Sequence, residues 1–442
     1  MLYSNKDLRK LIIPLILEQL LTLLVGMADT VMISTVGEAA MSGVSLVDTV
    51  NILIINVFVA FGTGGAVVAG HYLGQKNREQ ACRAAWQTNL FSVLTAIVVT
   101  VVFIGFHNGL MHLVFGSVEA DVMQNAKDYL IITALSIAPL AMYNSCAAMM
   151  RAMNDSRTTM WISMLMNILN IIGNAILIYG AGMGAAGAAW STAFSRTVAA
   201  VIICALMFRK EKEINFRGYV TPRFDLYLIK RILYIGVPNS LENSMFQLGK
   251  ILTISMVATY GTSSIAANAV CNTLAGFNVL PGQAVNNALL AVVSVCVGAS
   301  AYDQARYYTK KLMKMANLFL LGMTILVVAG SQVFVSFYHL SPEAAELAVR
   351  VFCYHGIMAV FFWIPSFSLP NTLRASGDVI WSMAIGIISM WVFRLLFSWI
   401  LGTRFGLGLM GIWIAMTVDW IFRAICYSIR FHGHKWEKKI AG

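Results

Sequence analysis

Seven ionisable side chains stand inside long apolar runs: Glu18, Asp29, Arg196, Glu242, Lys250, Arg394 and Asp419. At mid-bilayer each costs about 2.5–3.5 kcal/mol on insertion scales, so each needs a partner or a purpose. Glu18 and Asp29 are 11 residues apart, which at about 100° per residue places them within about 20° of each other on one helix face. Asn170 and Asn174 are spaced i, i+4 with Asn167 one turn earlier, and Thr192 has Arg196 one turn below it. Carboxylate, carboxamide and hydroxyl oxygens suit a small hard cation such as Na⁺, and a carboxylate can instead carry a proton. Asp29, Asn170, Asn174 and Thr192 are therefore the candidate cation-coupling set, with Asp29 as the metal ligand if the ion is Na⁺. The alternative is that these groups only tie helices to one another, as membrane amides often do.

The remaining polar residues divide by the same reasoning. Pro281-Gly282-Gln283 followed by Asn286 and Asn287 reads as a helix bent beside a cavity. Gln283 and Asn286, with the carboxylates Glu18 and Glu242, are the candidate lining of a substrate cleft. Pro14 and Pro238 each remove a backbone donor and are expected to kink their helices. Asp419 and Arg423, spaced i, i+4, are read as a structural ion pair.

The elements that must position these groups are membrane-spanning helices. Of 442 residues, 59% are apolar and only 12% charged, about half the charge of a soluble chain. The apolar residues come in runs of about 20, the length that crosses a bilayer. Twelve spans are predicted, near 11–33, 46–70, 86–106, 128–148, 159–180, 187–208, 232–258, 266–297, 315–335, 348–372, 380–401 and 409–429. Alternate connections hold 24 of the 31 Lys and Arg residues, against Lys127, Arg350 and Arg404 on the opposite side. By the positive-inside rule both termini are cytoplasmic, and a cell inner (plasma) membrane location is expected. The net charge of +11 is thus a topology signal and not a nucleic-acid footprint. Seven scattered cysteines without a CxxC pair argue against disulfides. The first apolar run, with Glu18 and Asp29 in it, is too long and polar for a cleaved leader. There is no Walker A loop and no HExxH, so neither ATP hydrolysis nor a zinc centre is expected. Abundant Met (25) and Trp (10) suit an adaptable apolar pocket.

The chain repeats itself at an offset of 224. Pro14 and Glu18 recur as Pro238 and Glu242, Gly37 as Gly261, Thr49 as Thr273, and Gly74, Gln80 and Ala81 as Gly298, Gln304 and Ala305. Ser117, Glu119 and Ala120 match Ser341, Glu343 and Ala344, and Gly184 and Gly187 match Gly408 and Gly411. With one residue deleted, Arg151-Ala152…Asp155 matches Arg374-Ala375…Asp378. Six spans separate the copies, so both face the membrane in the same sense. The predicted fold is all-α: an N-terminal lobe (1–208), a basic cytoplasmic linker (209–231) and a C-terminal lobe (232–442), two pseudo-symmetric six-helix lobes around a central cleft. That is the plan of a transporter. Within it, Asn154 and Gly377 are expected to be left-handed, with Asp155 and Asp378 as the following helix N-caps.

These residues resemble the multidrug and toxic compound extrusion (MATE) family of the MOP superfamily over nearly the whole chain. The carriers are Pro14…Ala28-Asp29-Thr30-Val31-Met32 with Gly37, Gly70…Gly74-Gln75, Arg151-Ala152-Met153-Asn154-Asp155-Ser156-Arg157, Asn170…Asn174 and Gly184…Gly187…Thr192…Arg196. The resemblance implies alternating-access antiport, exporting drugs and organic cations against H⁺ or Na⁺, with no other cofactor and with the chain acting as a monomer. It also implies a cation site at Asp29, Asn170, Asn174 and Thr192 with a carbonyl near Ala188. Two departures stand out. Position 174 is Asn where some members have a second Asp. A second-lobe Na⁺ site known in some members lacks its carboxylates here, Phe246 standing where its Glu would be and His355 being the only titratable group on the tenth span. The rival reading within the superfamily is a flippase of lipid-linked precursors or polysaccharide, which would want a cationic cleft. An intramembrane enzyme is disfavoured by the absence of any nucleophile–base or metal cluster.

Overall fold

In a hydrocarbon interior every backbone N–H and C=O must be satisfied within the chain, so long apolar runs become helices. The computed structural model describes residues 2–115, 119–338 and 340–437; the repeat position Ser117 lies outside them. Among the described residues there are helices and turns and no strand. The first half contains α1 (Asn5–Ser34), α2 (Glu38–Gly74), α3 (Arg78–Phe115), α4 (Ala120–Leu135), α5 (Ile137–Ala152), α6 (Ser156–Asn174, continuing in a π-helical stretch Ala175–Gly180) and α7 (Gly184–Met207). The second half contains α8 (Leu226–Ala258), α9 (Thr262–Gly298), α10 (Tyr302–Ala329), α11 (Ser331–Ser336), α12 (Pro342–Phe367), α13 (Leu369–Ala375) and α14 (Val379–Ile388). After α14 come π-helical stretches at Ser389–Leu396 and Ile400–Arg404 with α15 (Phe397–Trp399) between them, then α16 (Gly408–His432).

Among the described residues ten helical stretches are long and apolar enough to cross a membrane, and α4 with α5, bent by 47°, makes an eleventh. α8 is 33 residues long but is interrupted by Asn239, Glu242, Asn243, Gln247 and Lys250; with it, each of the twelve expected spans has its helix. Helices run on through Pro14, Pro238 and Pro281 without a break in helical assignment. The connection after α1 is shorter than the sequence suggests. α2 starts at Glu38 through Gly37 (φ 137°), which carries Asp48 well inside the helix.

The chain divides into two compact units, Tyr3–Val237, and Pro238–Gly442 together with Met1–Leu2. In the first, α2 packs on α3, α4 and α5, and α1 on α6. Small residues let the helices approach: a Cβ on Gly65 would lie 2.1 Å from Thr88 Oγ1, and one on Gly64 would lie 2.5 Å from Ile232 O. That close seat on α2 is why the first turns of α8 group with the first unit. In the second, α9 packs on α10, α12 and α13.

The repeat is written in the backbone. Left-handed residues occur as Gly37 and Gly261, Lys76 and Ser300, Asn154 and Gly377, Gly182 and Gly406, and Gly184 and Gly408. Only Gly218, in the linker, has no counterpart among the described residues. Asn154 (φ 61°) and Gly377 (φ 84°) take the conformation expected of them. Asp155 caps α6, its Oδ1 accepting from Thr158 N at 3.3 Å. Asp378 stands at the N-cap of α14 without a capping bond, because its carboxylate accepts from Arg430 instead, at 2.6 and 3.1 Å.

The linker is a folded element. Arg78 donates to the carbonyls of Lys210, Lys212 and Glu213 at 2.8–3.1 Å. Trp86 donates to Thr221 O at 2.7 Å and Gln87 to Arg223 O at 2.9 Å. Phe216 is buried edge-on to Trp86, their centroids 5.3 Å apart. Lys212 also reaches back to Asp155. Burial would raise the Asp155 carboxyl, but the bonds from Lys212 and Thr158 together with the Lys212 charge hold it below its ordinary value.

Candidate functional site

A cavity of about 240 Å³ opens within the first unit between α1, α2, α4, α6 and α7, and Asp29, Asp48, Tyr129, Asn174 and Thr192 line it. Each helix contributes for a local reason. α1 presents Asp29 near its C-terminal end. α2, started early by Gly37, brings Asp48 to the facing wall. α6 turns Asn170 and Asn174 to one side because they are four residues apart.

Asn174 Nδ2 donates to Asp29 Oδ1 at 2.7 Å. Asn170 donates to both Asp29 oxygens, at 2.8 and 3.1 Å, and accepts from Thr192 Oγ1 at 3.1 Å, the amide orientation its neighbours require. Ser191 donates to Asn170 O at 2.7 Å, fixing α6 against α7. Across the cavity Tyr129 donates to Asp48 Oδ1 at 3.3 Å. Arg196 donates to Ser136 Oγ at 3.0 Å, at the α4–α5 bend, and its charge acts on Asp48 and Asp29. Asn174 Oδ1 is buried and has no hydrogen-bond partner. An orphaned carbonyl oxygen beside a carboxylate is what a small cation can take as ligands.

Asp29, Asn170, Asn174 and Thr192 thus meet at one place, and Ala188 lines the same cavity. Asp48 and Tyr129 were missed in the sequence, whereas Arg196 was placed one turn below Thr192 without its reach toward the two carboxylates. The signal was there for Asp48, a carboxylate near the start of an apolar run, but the run was read as beginning only two residues before it. Asp48 thus places a second carboxylate, from α2, on the wall of the cavity that Asp29 lines.

The other candidates lie elsewhere. Glu18 is buried; its carboxylate is 3.7 Å from Arg151 Nη1 and accepts from Thr159 Oγ1 at 3.1 Å. Glu242 is buried with Arg374 Nη2 at 2.6 Å and Arg423 Nη2 at 3.4 Å. The two glutamates therefore face an arginine at matching places in the repeat. Gln283 is exposed, and Asn286 is half-buried with Oδ1 unpartnered; neither lines this cavity. The expected Asp419–Arg423 pair does not form. Asp419 accepts from Ser389 and lies 3.7 Å from Arg394 Nη1, while Arg423 turns to Glu242 and over the Phe367 ring at 4.5 Å. Both side chains are buried, and each is better satisfied by a neighbouring helix than along its own. His355 is enclosed by the rings of Trp413 and Trp420 at 5.2 and 5.3 Å.

Comparison with known proteins agrees with this architecture. A sequence model of the MatE family matches residues 14–176 and again 238–400, two matches with the same 224-residue separation as the repeat. A probable multidrug resistance protein NorM from Thermotoga maritima is 27% identical over 439 residues, covering 98% of this chain and 94% of that one. An uncharacterized transporter YisQ of Bacillus subtilis is 24% identical over 435 residues, covering 96% and 94%. Among solved structures, an outward-facing multidrug resistance MATE family transporter of the MOP superfamily superposes with a TM-score of 0.90 at 19% identity, over 97% of this chain and 96% of that one. A MOP superfamily transporter from Pyrococcus furiosus gives 0.89 at 19% identity, over 97% and 95%. The chain belongs to the MatE family, the multidrug and toxic compound extrusion transporters, and is a multi-pass membrane transporter and not an enzyme.

Proposed function

We propose that this transporter expels amphipathic organic cations and drugs by antiport against H⁺ or Na⁺, with the ion taken at Asp29 and Asp48. The observation that carries the reading is the cavity in which those two carboxylates face each other, held by Asn170, Asn174 and Tyr129. Two carboxylates against the one guanidinium of Arg196 leave a net negative charge in a site of low polarisability. One monovalent cation neutralises it, so ion and cationic substrate cannot both be held there at full strength. Loading the ion from outside would then favour release of substrate, and the exchange would run through alternating access. Asn174 Oδ1, Asp29, Asp48 and Thr192 offer oxygens for Na⁺, and either carboxylate offers a place for a proton.

Gln283 and Asn286 are proposed to contribute to the substrate path of the second unit. The basic connections support a plasma-membrane protein with both termini cytoplasmic, and we propose that it works as a monomer. The flippase alternative asks for a cationic path, which the Asp29–Asp48 cavity does not offer. The test is tetraphenylphosphonium transport by purified protein in liposomes, with a pH gradient and a Na⁺ gradient imposed separately. Uphill transport under one of them identifies the ion, and none under either removes the antiport reading.

A further inference from the structure

The second unit holds a cavity of about 260 Å³, lined among others by Lys250, Thr253, Asn272, Arg394 and Met416. Set against the repeat, it is the counterpart of the Asp29 cavity. Counting 224 residues on, Gly26 becomes Lys250, Asp29 becomes Thr253, Asp48 becomes Asn272, and Thr192 becomes Met416. Arg394 comes from the stretch that matches α6, the carrier of Asn170 and Asn174. The offset is 223 at Arg151 and Arg374 but 224 again at Gly184 and Gly408. In between, the second unit has a π-helical stretch, Ser389–Leu396, that α6 lacks. A π turn takes up one more residue than an α turn, and Arg394 sits in it.

The charges are exchanged throughout. Where the first cavity has two carboxylates and one arginine beneath, the second has Lys250 and Arg394 and one carboxylate beneath, Asp419. Asp419 lies one position from the place matching Arg196. Among the described residues no carboxylate lines the second cavity. Lys250 is in no ion pair among the described residues, and Arg394 Nε is buried without a hydrogen-bond partner. An unpaired ammonium inside a span is costly, about 2.5–3.5 kcal/mol, and calls for a counter-ion.

We propose that this cavity is an anion-binding site, whose ligand is a monovalent anionic group held between Lys250 and Arg394. The group is either a small inorganic anion or the carboxylate of an organic molecule. A cavity of about 150 Å³ already accepts benzene, so this one has room for an aryl carboxylate, its ring against Ile254, Ile412 and Met416. The site is independent of which ion couples at Asp29.

The test is equilibrium dialysis of radiolabelled benzoate against the full-length protein in detergent, with chloride as competitor. Saturable benzoate binding is expected, weakened at least tenfold in Lys250→Gln and unchanged in Asp29→Asn. Because Arg394→Gln alone strands Asp419, the arginine is tested as Arg394→Gln/Asp419→Asn, which should also lose benzoate; melting curves establish that each variant is folded. Displacement by chloride, or saturable binding of labelled chloride without benzoate, assigns the site to an inorganic anion. Absence of saturable binding of both probes, or binding that persists in folded Lys250→Gln, overturns the proposal.

Discussion

Asp29 is held by two amide donors and Asp48 by a phenol, so both sets of carboxylate oxygens are fixed in place. Replacing either carboxylate by its amide keeps shape and removes the titratable, cation-attracting charge. Asp29→Asn should insert and melt near wild type yet lose gradient-driven tetraphenylphosphonium export by at least tenfold, on the order of 1.4 kcal/mol in coupling. Asp48→Asn should show the same pattern, read in the same liposomes; wild-type uphill rates in both would place coupling elsewhere. Glu242 behaves differently, because it answers two buried arginines. Glu242→Gln leaves Arg374 and Arg423 facing an uncharged group and should lower stability by about 3 kcal/mol. That loss is measurable as an earlier thermal transition in detergent, whereas a change confined to substrate range with an unshifted transition would give Glu242 a cleft role.

At the scale of elements, the turn between α5 and α6 and the linker act as one unit. Asn154 sits at φ 61°, where Asn and Gly are at ease and a β-branched residue is not. Asn154→Gly should be neutral, and Asn154→Val should cost about 1–2 kcal/mol, seen in the same melting assay. Asp155 follows, capping α6 and binding Lys212 of the linker. Its folded-state carboxyl is depressed, so its contribution is present above the ordinary Asp value of about 3.9 and disappears as pH falls through the lower folded value. The linker should therefore become sensitive to pepsin, which cleaves in acid, only at very acidic pH, whereas Arg78→Ala, which frees three carbonyls, should expose it to trypsin at neutral pH. Equal cleavage rates in Arg78→Ala and wild type would mean that the linker is held by Phe216 and Trp86 alone.

Across the whole molecule, the twelve spans and the repeat could be read from the chain because bilayer thickness and the 224-residue spacing leave periodic traces. Asp29, Asn170, Asn174 and Thr192 could be proposed as a set from their residue types, and the family resemblance added weight to it, but spacing alone could not bring them together, since α2 to α6 lie between the helices of Asp29 and Thr192. Asp48 was visible as a carboxylate in an apolar run, but its place on the cavity wall was not, because that depends on a turn of three residues, Thr35–Gly37, that starts α2 early. The partners of Asp419 and Arg423 were misread for a related reason, since spacing along one helix says nothing about which neighbouring helix is nearer. If both termini are cytoplasmic, a cysteine placed at either end should react with a membrane-impermeant maleimide only after permeabilisation of intact cells. Labelling of one end without permeabilisation would break the even count of spans.

The π-helical stretch Ser389–Leu396 has a consequence for how such a chain can change in length. A residue added to or removed from an α-helix normally turns everything beyond it by about 100°, which would bury polar faces in lipid. A π turn confines that change to itself. Deleting one residue within Ser389–Leu396 should let the stretch relax to α and leave α16 in register, while the same deletion in the middle of α9 should abolish folding. Membrane helices that contain such turns are then places where insertions and deletions survive, and a duplicated half can drift in length there as freely as a soluble protein does in its loops.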